Sequence, residues 1–195
     1  MKMIKLEKWF MNRPKHAQRV IDNAEKLLHY VPLKKGQAFL EVGCGSGALS
    51  NHVAKKYLLE VTATDLDAEQ IQRAREASDD ISNVIFLKAD GTNLSFRENA
   101  FDVVLSFGVM HHIPNWLVAF DEINRVLKPM GYFIYLDFIY SKWLTAIGRS
   151  FQHRYGVVTV EELDSFAERN NYSTIHSALS KSLFIHQYEA VYQKS

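Results

Sequence analysis

The sequence predicts an α/β fold, a doubly wound parallel sheet that ends in an antiparallel hairpin. Three observations carry this. The stretch Phe39-Leu40-Glu41-Val42-Gly43-Cys44-Gly45-Ser46-Gly47-Ala48 reads as a short apolar strand that runs through a glycine turn into a helix. Five apolar segments of strand length alternate with segments whose apolar residues recur at helical spacing. The last two strand-like segments, 173–179 and 183–192, are joined by Ser180-Lys181-Ser182, the pattern of a hairpin.

In chain order, residues 1–13 are basic and aromatic, with Trp9, Phe10 and Met11 in a row that can pack on the domain or form a flap over a ligand. Pro14 suits a first helical turn, and Ala17, Val20, Ile21, Ala24, Leu27 and Leu28 predict an amphipathic helix over 14–30, ended by Pro32 and Gly36. The glycine turn opens a helix near Ser46 that buries Leu49 and Val53. Residues 60–64 form the second strand, with Asp65 at its end. Asp67 caps the next helix, and Gln70 completes a box-like pattern. Residues 84–87 form the third strand, ending at Asp90, and 101–106 the fourth. A helix from Trp116 carries Phe120, Ile123 and Val126-Leu127 on one face and is closed by Pro129 and Gly131. Residues 132–138 read as an apolar fifth strand, hence a central one. A short helix over 141–156 follows, with Trp143, Ile147 and Phe151 on one side. Thr159 and Glu162 form a capping box for the last helix, and Asn170-Asn171 end it in a left-handed turn.

With 195 residues the chain reads as one domain: an N-terminal lid segment and helix over 1–35, a cofactor-binding core over 36–140, and a lid helix, a further helix and the hairpin over 141–195. Its 23 basic and 22 acidic residues create no global field for nucleic acid or an anionic membrane. The lone cysteine, Cys44, makes no internal disulfide and fits a reducing, cytoplasmic setting. The first residues lack the apolar core of a signal peptide, and no run is long enough to cross a bilayer. No His/Cys/Asp/Glu set has metal-ligand spacing, so no metal is expected.

In doubly wound sheets, ligands bind beyond the carboxyl ends of the strands, where strand order reverses. The glycine turn, Asp65, Asp90 and Ser106 all fall at such ends. The turn brings main chain close to a polar or anionic cofactor. Asp65, a little over twenty residues on, is placed to accept both ribose hydroxyl protons of a nucleoside, with Leu66 against the base; a turn or capping aspartate is the structural alternative. The Asp90 carboxylate can accept from an exocyclic amine, and the main chain at Gly91 can donate to a ring nitrogen; a plain Asp-Gly turn is the alternative. Glycines 43 and 45 with Ala48 fit a dinucleotide fingerprint, whereas glycines 43, 45 and 47 fit S-adenosylmethionine. Chain length, the Asp90 contact and the terminal hairpin favour the second.

The combination of Leu40-Glu41-Val42-Gly43-Cys44-Gly45-Ser46-Gly47, Asp65, Ala89-Asp90, Leu94-Ser95-Phe96, Phe101-Asp102-Val103-Val104, His111-His112-Ile113-Pro114 and Arg125-Val126-Leu127-Lys128-Pro129 resembles the class I S-adenosylmethionine-dependent methyltransferases, closest to the branch acting on quinone precursors and other small molecules. The resemblance covers roughly residues 36–140. It implies a Rossmann-like seven-stranded sheet of order 3-2-1-4-5-7-6, with strand seven antiparallel and helices on both faces. It implies S-adenosyl-L-methionine as cofactor and S-adenosyl-L-homocysteine as product. Carried over by position, Glu41 steadies the glycine turn or the methionine amino group. Gly43 and Gly45 approach the methionine moiety, with Cys44 and Gly47 in the same loop. Asp65 holds the ribose, Asp90-Gly91 the adenine, and Ser106 and Phe107 line the methyl end. His111 and His112 are the candidates for a general base, with a structural turn as the alternative. Met130 departs from the family's usual glycine at that position. The implied acceptor is a small molecule; an RNA or protein acceptor, suggested by the basic N-terminal segment, and a cofactor-binding regulator remain alternatives.

Overall fold

The computed structural model describes residues 12–140, 156, 158–180 and 185–195. The aromatic triplet at 9–11, the expected helix over 141–156 except Gly156, and the middle of the hairpin connection lie outside the described residues. The elements are α1 (Pro14–Leu28), β1 (Ala38–Val42), α2 (Ala48–Tyr57), β2 (Glu60–Asp65), α3 (Ala68–Glu76), β3 (Val84–Lys88) and β4 (Phe101–Phe107). A 3₁₀ turn (Met110–His112) precedes α4 (Trp116–Val126), β5 (Leu127–Tyr140), α5 (Val160–Arg169), β6 (Tyr172–Ser180) and β7 (Ile185–Lys194).

One seven-stranded sheet has the order β3-β2-β1-β4-β5-β7-β6. All pairs from β3 to β5 are parallel, and β7 runs antiparallel to both neighbours, as expected. Strand β1 is the pivot: the chain leaves it for β2 and β3 on one side, then returns to β4 on the other. The strand ends therefore diverge beyond Val42, leaving a crevice there.

Alternation along β5 separates two cores. Phe133, Tyr135 and Ile139 join Phe120, Ile123, Leu163 and Phe166 on the face covered by α4 and α5. Ile134 and Leu136 join Leu27, Phe39, Val53 and Val61 under α1 and α2. Each fully buried aromatic or aliphatic side chain contributes about 1.5–3 kcal/mol, so the strand is secured from both sides.

Several residues of the sequence motifs turn out to staple these layers. Asp102 accepts from the Ala38 N–H (2.8 Å) and from Lys128 Nζ (2.9 Å), which ties the starts of β1, β4 and β5 together. The Arg125 fork donates to the carbonyls of Phe96 and Leu94, while Glu122 accepts from the Leu94 N–H, so α4 clamps the segment before β4.

The structure departs from expectation in four places. Helix α1 ends at Leu28, because the residue before Pro32 is pushed out of the helical region and Val31 makes only a tight turn bond to Leu28. Helix α2 starts at Ala48, since Gly47 (φ +80°) is left-handed and cannot be helical. Asp67 caps α3 by accepting from Glu69 N–H, but the Gln70 amide makes no bond back, so the box does not close. Strand β5 begins at Leu127, directly after α4; the register with β4 shifts between Phe101 and Val103, and Pro129-Met130-Gly131 forms part of that irregularity instead of ending a helix. The box of Thr159 and Glu162 and the left-handed Asn171 (φ +54°) are found as expected.

Met130 occupies left-handed backbone (φ +62°) with 65% of its surface exposed. A side chain there is strained and gains little packing. Met130→Gly is expected to stabilise the fold by roughly 0.5–1 kcal/mol after the entropy cost of glycine. Thermal unfolding should show the melting temperature rising by about 1–4 °C.

Candidate functional site

The turn after β1 is held by main-chain bonds to its neighbour strand. The N–H groups of Gly43 and Cys44 both donate to the Thr64 carbonyl (2.7 and 2.9 Å). Asp65, at the end of β2, then braces the loop: its Oδ2 accepts from Gly45 N–H (2.9 Å) and its Oδ1 from Asp67 N–H (2.8 Å). Two glycines are required by space as well as by dihedral. A Cβ on Gly43 (φ +82°) would stand 2.1 Å from Val109 Cγ2, and one on Gly47 would stand 2.7 Å from the Phe86 ring. The loop is thus packed between the segment after β4 at Gly43 and the side chains of β3 and α3 at Gly47.

Above it opens a cavity of about 350 Å³. The β1 turn contributes Glu41, Gly43, Cys44 and Gly45, and the end of β2 contributes Asp65 and Leu66. Asp90, Gly91 and Thr92 form a second wall, and Phe107, Val109, His112 and Ile113 a third. Asn12, His16, Ala17 and Val20 of the α1 region close the side nearest the N-terminus. Ten of the thirteen residues singled out from the sequence therefore meet in one cavity. Gly47, at the end of the loop, faces Phe86 and Ala74 and is off the lining. Ser106 is fully buried, its hydroxyl without a partner, one residue short of Phe107 on the alternate side of β4. His111 stands beside the cavity, off its lining.

The Asp90 carboxylate accepts from both the N–H and the hydroxyl of Thr92 (2.9 and 2.8 Å), so an Asx turn fixes its orientation. Glu41 is buried beneath the loop and accepts from the Ser50 hydroxyl. Burial above all, with a further push from the charge of Asp65, raises its carboxyl pKa to about 7. Between about pH 4.5 and 7 the unfolded chain ionises this group while the folded chain keeps its proton, so stability falls as pH rises through that window and levels off above it. Glu41→Gln is expected to lose that slope. Urea unfolding at pH 5 and pH 8 should show wild type losing roughly 2–3 kcal/mol more than the variant over the interval.

Sequence reasoning missed several participants. Gln70 lines the cavity at 1% exposure, and both atoms of its amide lack a partner. Its spacing from Asp67 suggested only a capping role. His16 also lines the cavity, its Nε2 covered and unpartnered; burial first, then Arg19, lowers its pKa, so it is a neutral imidazole near pH 7. Asp137 in β5 is 1% exposed and binds the 3₁₀ turn. A lone carboxylate inside an apolar strand was its visible signal, which the apolar reading of 132–138 passed over.

Among the described residues, no helix is long and apolar enough to cross a membrane.

Comparison with known proteins gives a consistent pattern. Residues 40–135 match the model of a family described as a methyltransferase domain. The sterol 24-C-methyltransferase ERG6A of Gibberella zeae is 34% identical over 119 residues, 60% of this chain and 31% of that protein. A demethylmenaquinone methyltransferase of Staphylococcus aureus is 34% identical over 118 residues, 58% of this chain and 48% of that protein. The match thus spans about half or less of the length of these curated relatives. Among solved structures, phosphoethanolamine N-methyltransferase 2 of Haemonchus contortus in complex with S-adenosyl-L-methionine superposes with a TM-score of 0.75 at 17% identity, over 96% of this chain and 59% of that one. At that identity the likeness speaks to the fold.

Proposed function

From the premise that residues 40–135 are a methyltransferase domain of the class I, S-adenosylmethionine-dependent kind, we propose that this chain transfers the methyl group of S-adenosylmethionine to a small-molecule acceptor. The observation that carries this reading is the meeting of the glycine turn, Asp65 and Asp90-Gly91 around a single cavity. Its volume, about 350 Å³, lies in the range of small-ligand pockets. The residues fit the cofactor on two further counts. A Cβ added at Gly45, on the cavity lining, would meet only open space, and the orphaned Gln70 amide beside the turn offers one donor and one acceptor that a polar ligand can satisfy.

In this reading Asp65 keeps its bonds to the loop and offers its remaining lone pairs to the ribose hydroxyls. Asp90 and the Gly91 N–H read the adenine edge, and Leu66 packs on the base. Glu41, protonated or ionised near neutrality, steadies the turn next to the methionine ammonium. The cofactor supplies an electrophilic sulfonium methyl, so the chain's task is alignment and exclusion of water. Phe107, Val109 and Ile113 give the methyl end an apolar wall, and His112 or His111 receives a proton where the acceptor must lose one. A small acceptor is supported by the substrates named for the sterol and menaquinone relatives and by the near-balanced charge of the chain. A cytoplasmic setting belongs to the same proposal, supported by the free thiol of Cys44.

Calorimetry with S-adenosylhomocysteine, followed by tritiated-methyl transfer into cell extract fractionated into small molecules, RNA and protein, tests it. Binding with label in the small-molecule fraction is the expected result. Label in RNA or protein overturns the acceptor class, and binding without any label favours a regulator.

A further inference from the structure

Helix α3 carries one side chain that its surroundings leave unexplained. Its buried face is Gln70, Ile71 and Ala74. Ile71 and Ala74 pack with Cys44, Ala63 and Phe86 in a small apolar core between the helix and the sheet. Gln70 stands one turn nearer the strand ends, where that core gives way to the cavity, and it lines the cavity while almost fully buried. The periodicity of this face calls for an apolar residue there. A carboxamide instead buries a donor and an acceptor, and both are unpaired. No other side chain among the described residues leaves two buried polar atoms unpaired. Gln72, elsewhere on the same helix, has a partner in Glu76 at 2.8 Å. Turning the Gln70 amide over exchanges its two ends and satisfies neither.

The amide is held in fixed relation to Asp65. The Asp65 carboxylate accepts from the Asp67 N–H (2.8 Å), the Asp67 side chain accepts from the Glu69 N–H (3.0 Å), and the Asp67 carbonyl accepts from the Ile71 N–H (3.1 Å). This run of bonds makes the end of β2 and the first turn of α3 one unit, with Asp65 and Gln70 both on the lining. A carboxylate only accepts, whereas a carboxamide donates and accepts. Together they match a group that itself donates and accepts at two neighbouring atoms, which is the chemistry of a vicinal diol. The base edge of a nucleoside falls elsewhere, to Asp90 and Gly91 on the wall that follows β3.

Resting on the cofactor reading above, we propose that Gln70 is the second arm of a clamp for the ribose diol and makes the site selective for ribonucleosides over deoxyribonucleosides. Asp65 accepts hydroxyl protons. The Gln70 NH₂ gives a hydroxyl oxygen the donor that a carboxylate cannot supply, and its carbonyl is a further acceptor for one of the protons. The unpaired amide destabilises the empty protein, and the ligand removes that penalty on binding. The residue therefore lowers the stability of the unliganded fold while it raises affinity and selectivity.

Gln70→Met keeps the length of the side chain and removes both polar atoms. It is expected to raise the melting temperature of the ligand-free protein by about 2–6 °C. Calorimetry should show S-adenosylhomocysteine binding weakened about 10-fold, and the preference for it over its 2′-deoxy or its 3′-deoxy analogue reduced by roughly three- to tenfold. A ligand-free Gln70→Met protein that melts with or below the wild type overturns the proposal, as does unchanged discrimination against both analogues. Nitrogen-15 NMR of the wild-type Gln70 side-chain amide decides even if the variant does not fold. Its signal should shift with S-adenosylhomocysteine and shift less with at least one analogue, and a signal that responds alike to all three ligands overturns the clamp. Failure of the wild type to bind S-adenosylhomocysteine would instead overturn the cofactor reading, on which the ligand-free melting comparison does not depend.

Discussion

Asp65→Ala is expected to weaken S-adenosylhomocysteine binding by roughly 100-fold or more, with the fold retained. Hydrogen bonds to a charged group contribute about 1.5–3 kcal/mol each, and the proposed ribose pair uses two, so a loss of about 3 kcal/mol or more follows, which is that fold-change. Part of the effect is indirect. The carboxylate also accepts from the Gly45 and Asp67 N–H groups, so the alanine variant loses the brace on Gly45 while the Gly43 and Cys44 bonds to the Thr64 carbonyl remain. Asp65→Asn keeps one acceptor oxygen and should fall between the two. A second signature is internal: with the Asp65 charge gone, Glu41 is left with burial as its main perturbation, so its pKa moves down from about 7. Calorimetry at pH 7 measures the affinity, and carbon-13 titration of Glu41 reads the second effect. An affinity unchanged in Asp65→Ala would remove the ribose role altogether.

The parts of this molecule that were legible in the sequence are those where one local cause acts alone. A strand followed by a glycine turn can open a helix in few ways, so the β1–α2 unit and the acids at the ends of β2 and β3 were readable. The capping box at Thr159 was equally direct, because its two bonds join residues three apart. What escaped depended on distant partners. Pro129-Met130-Gly131 looks like a stop, but β5 is already paired at Leu127 through Phe101, and the sheet absorbs the disturbance. Strand parity decides that Phe107 lines the cavity while Ser106 does not, and a one-residue difference at a strand end is beyond what an apolar run can specify.

The histidine pair makes the same point about chemistry. His111 and His112 are adjacent and were indistinguishable as candidates, yet the turn sends one to the cavity lining and the other to a buried carboxylate 26 residues away. Gln70 was hidden for the opposite reason. A plausible local role, closing the box with Asp67, was available, and only the folded chain shows an amide with nothing to bind.

Gly43→Ala is expected to be strongly destabilising for the addition of one methyl group. The backbone there has φ +82°, which costs a non-glycine residue about 1–2 kcal/mol, and the added Cβ would lie 2.1 Å from Val109 Cγ2 and 2.9 Å from Cγ1. Overpacking of that kind costs a further 1–3 kcal/mol or so. The sum, about 2–5 kcal/mol, corresponds to a fall in melting temperature of roughly 5–20 °C for a chain of this length. Val109 immediately precedes the turn that Asp137 anchors, so it cannot retreat without dragging the wall that carries His112 and Ile113. Cofactor binding should therefore fail even in the fraction that stays folded. The two costs are separable. Val109→Ala removes both clashing methyls and leaves the Val109 Cβ position at 3.1 Å, close enough for a small shift to relieve. Added to Gly43→Ala, it should restore roughly half of the lost stability, the packing part, while the dihedral part remains. Thermal unfolding of the two singles and the double variant closes the cycle. A double variant no more stable than Gly43→Ala alone would mean that Val109 is not what keeps position 43 bare, and a Gly43→Ala protein that melts with the wild type would mean that the turn is not held against the cavity wall at all.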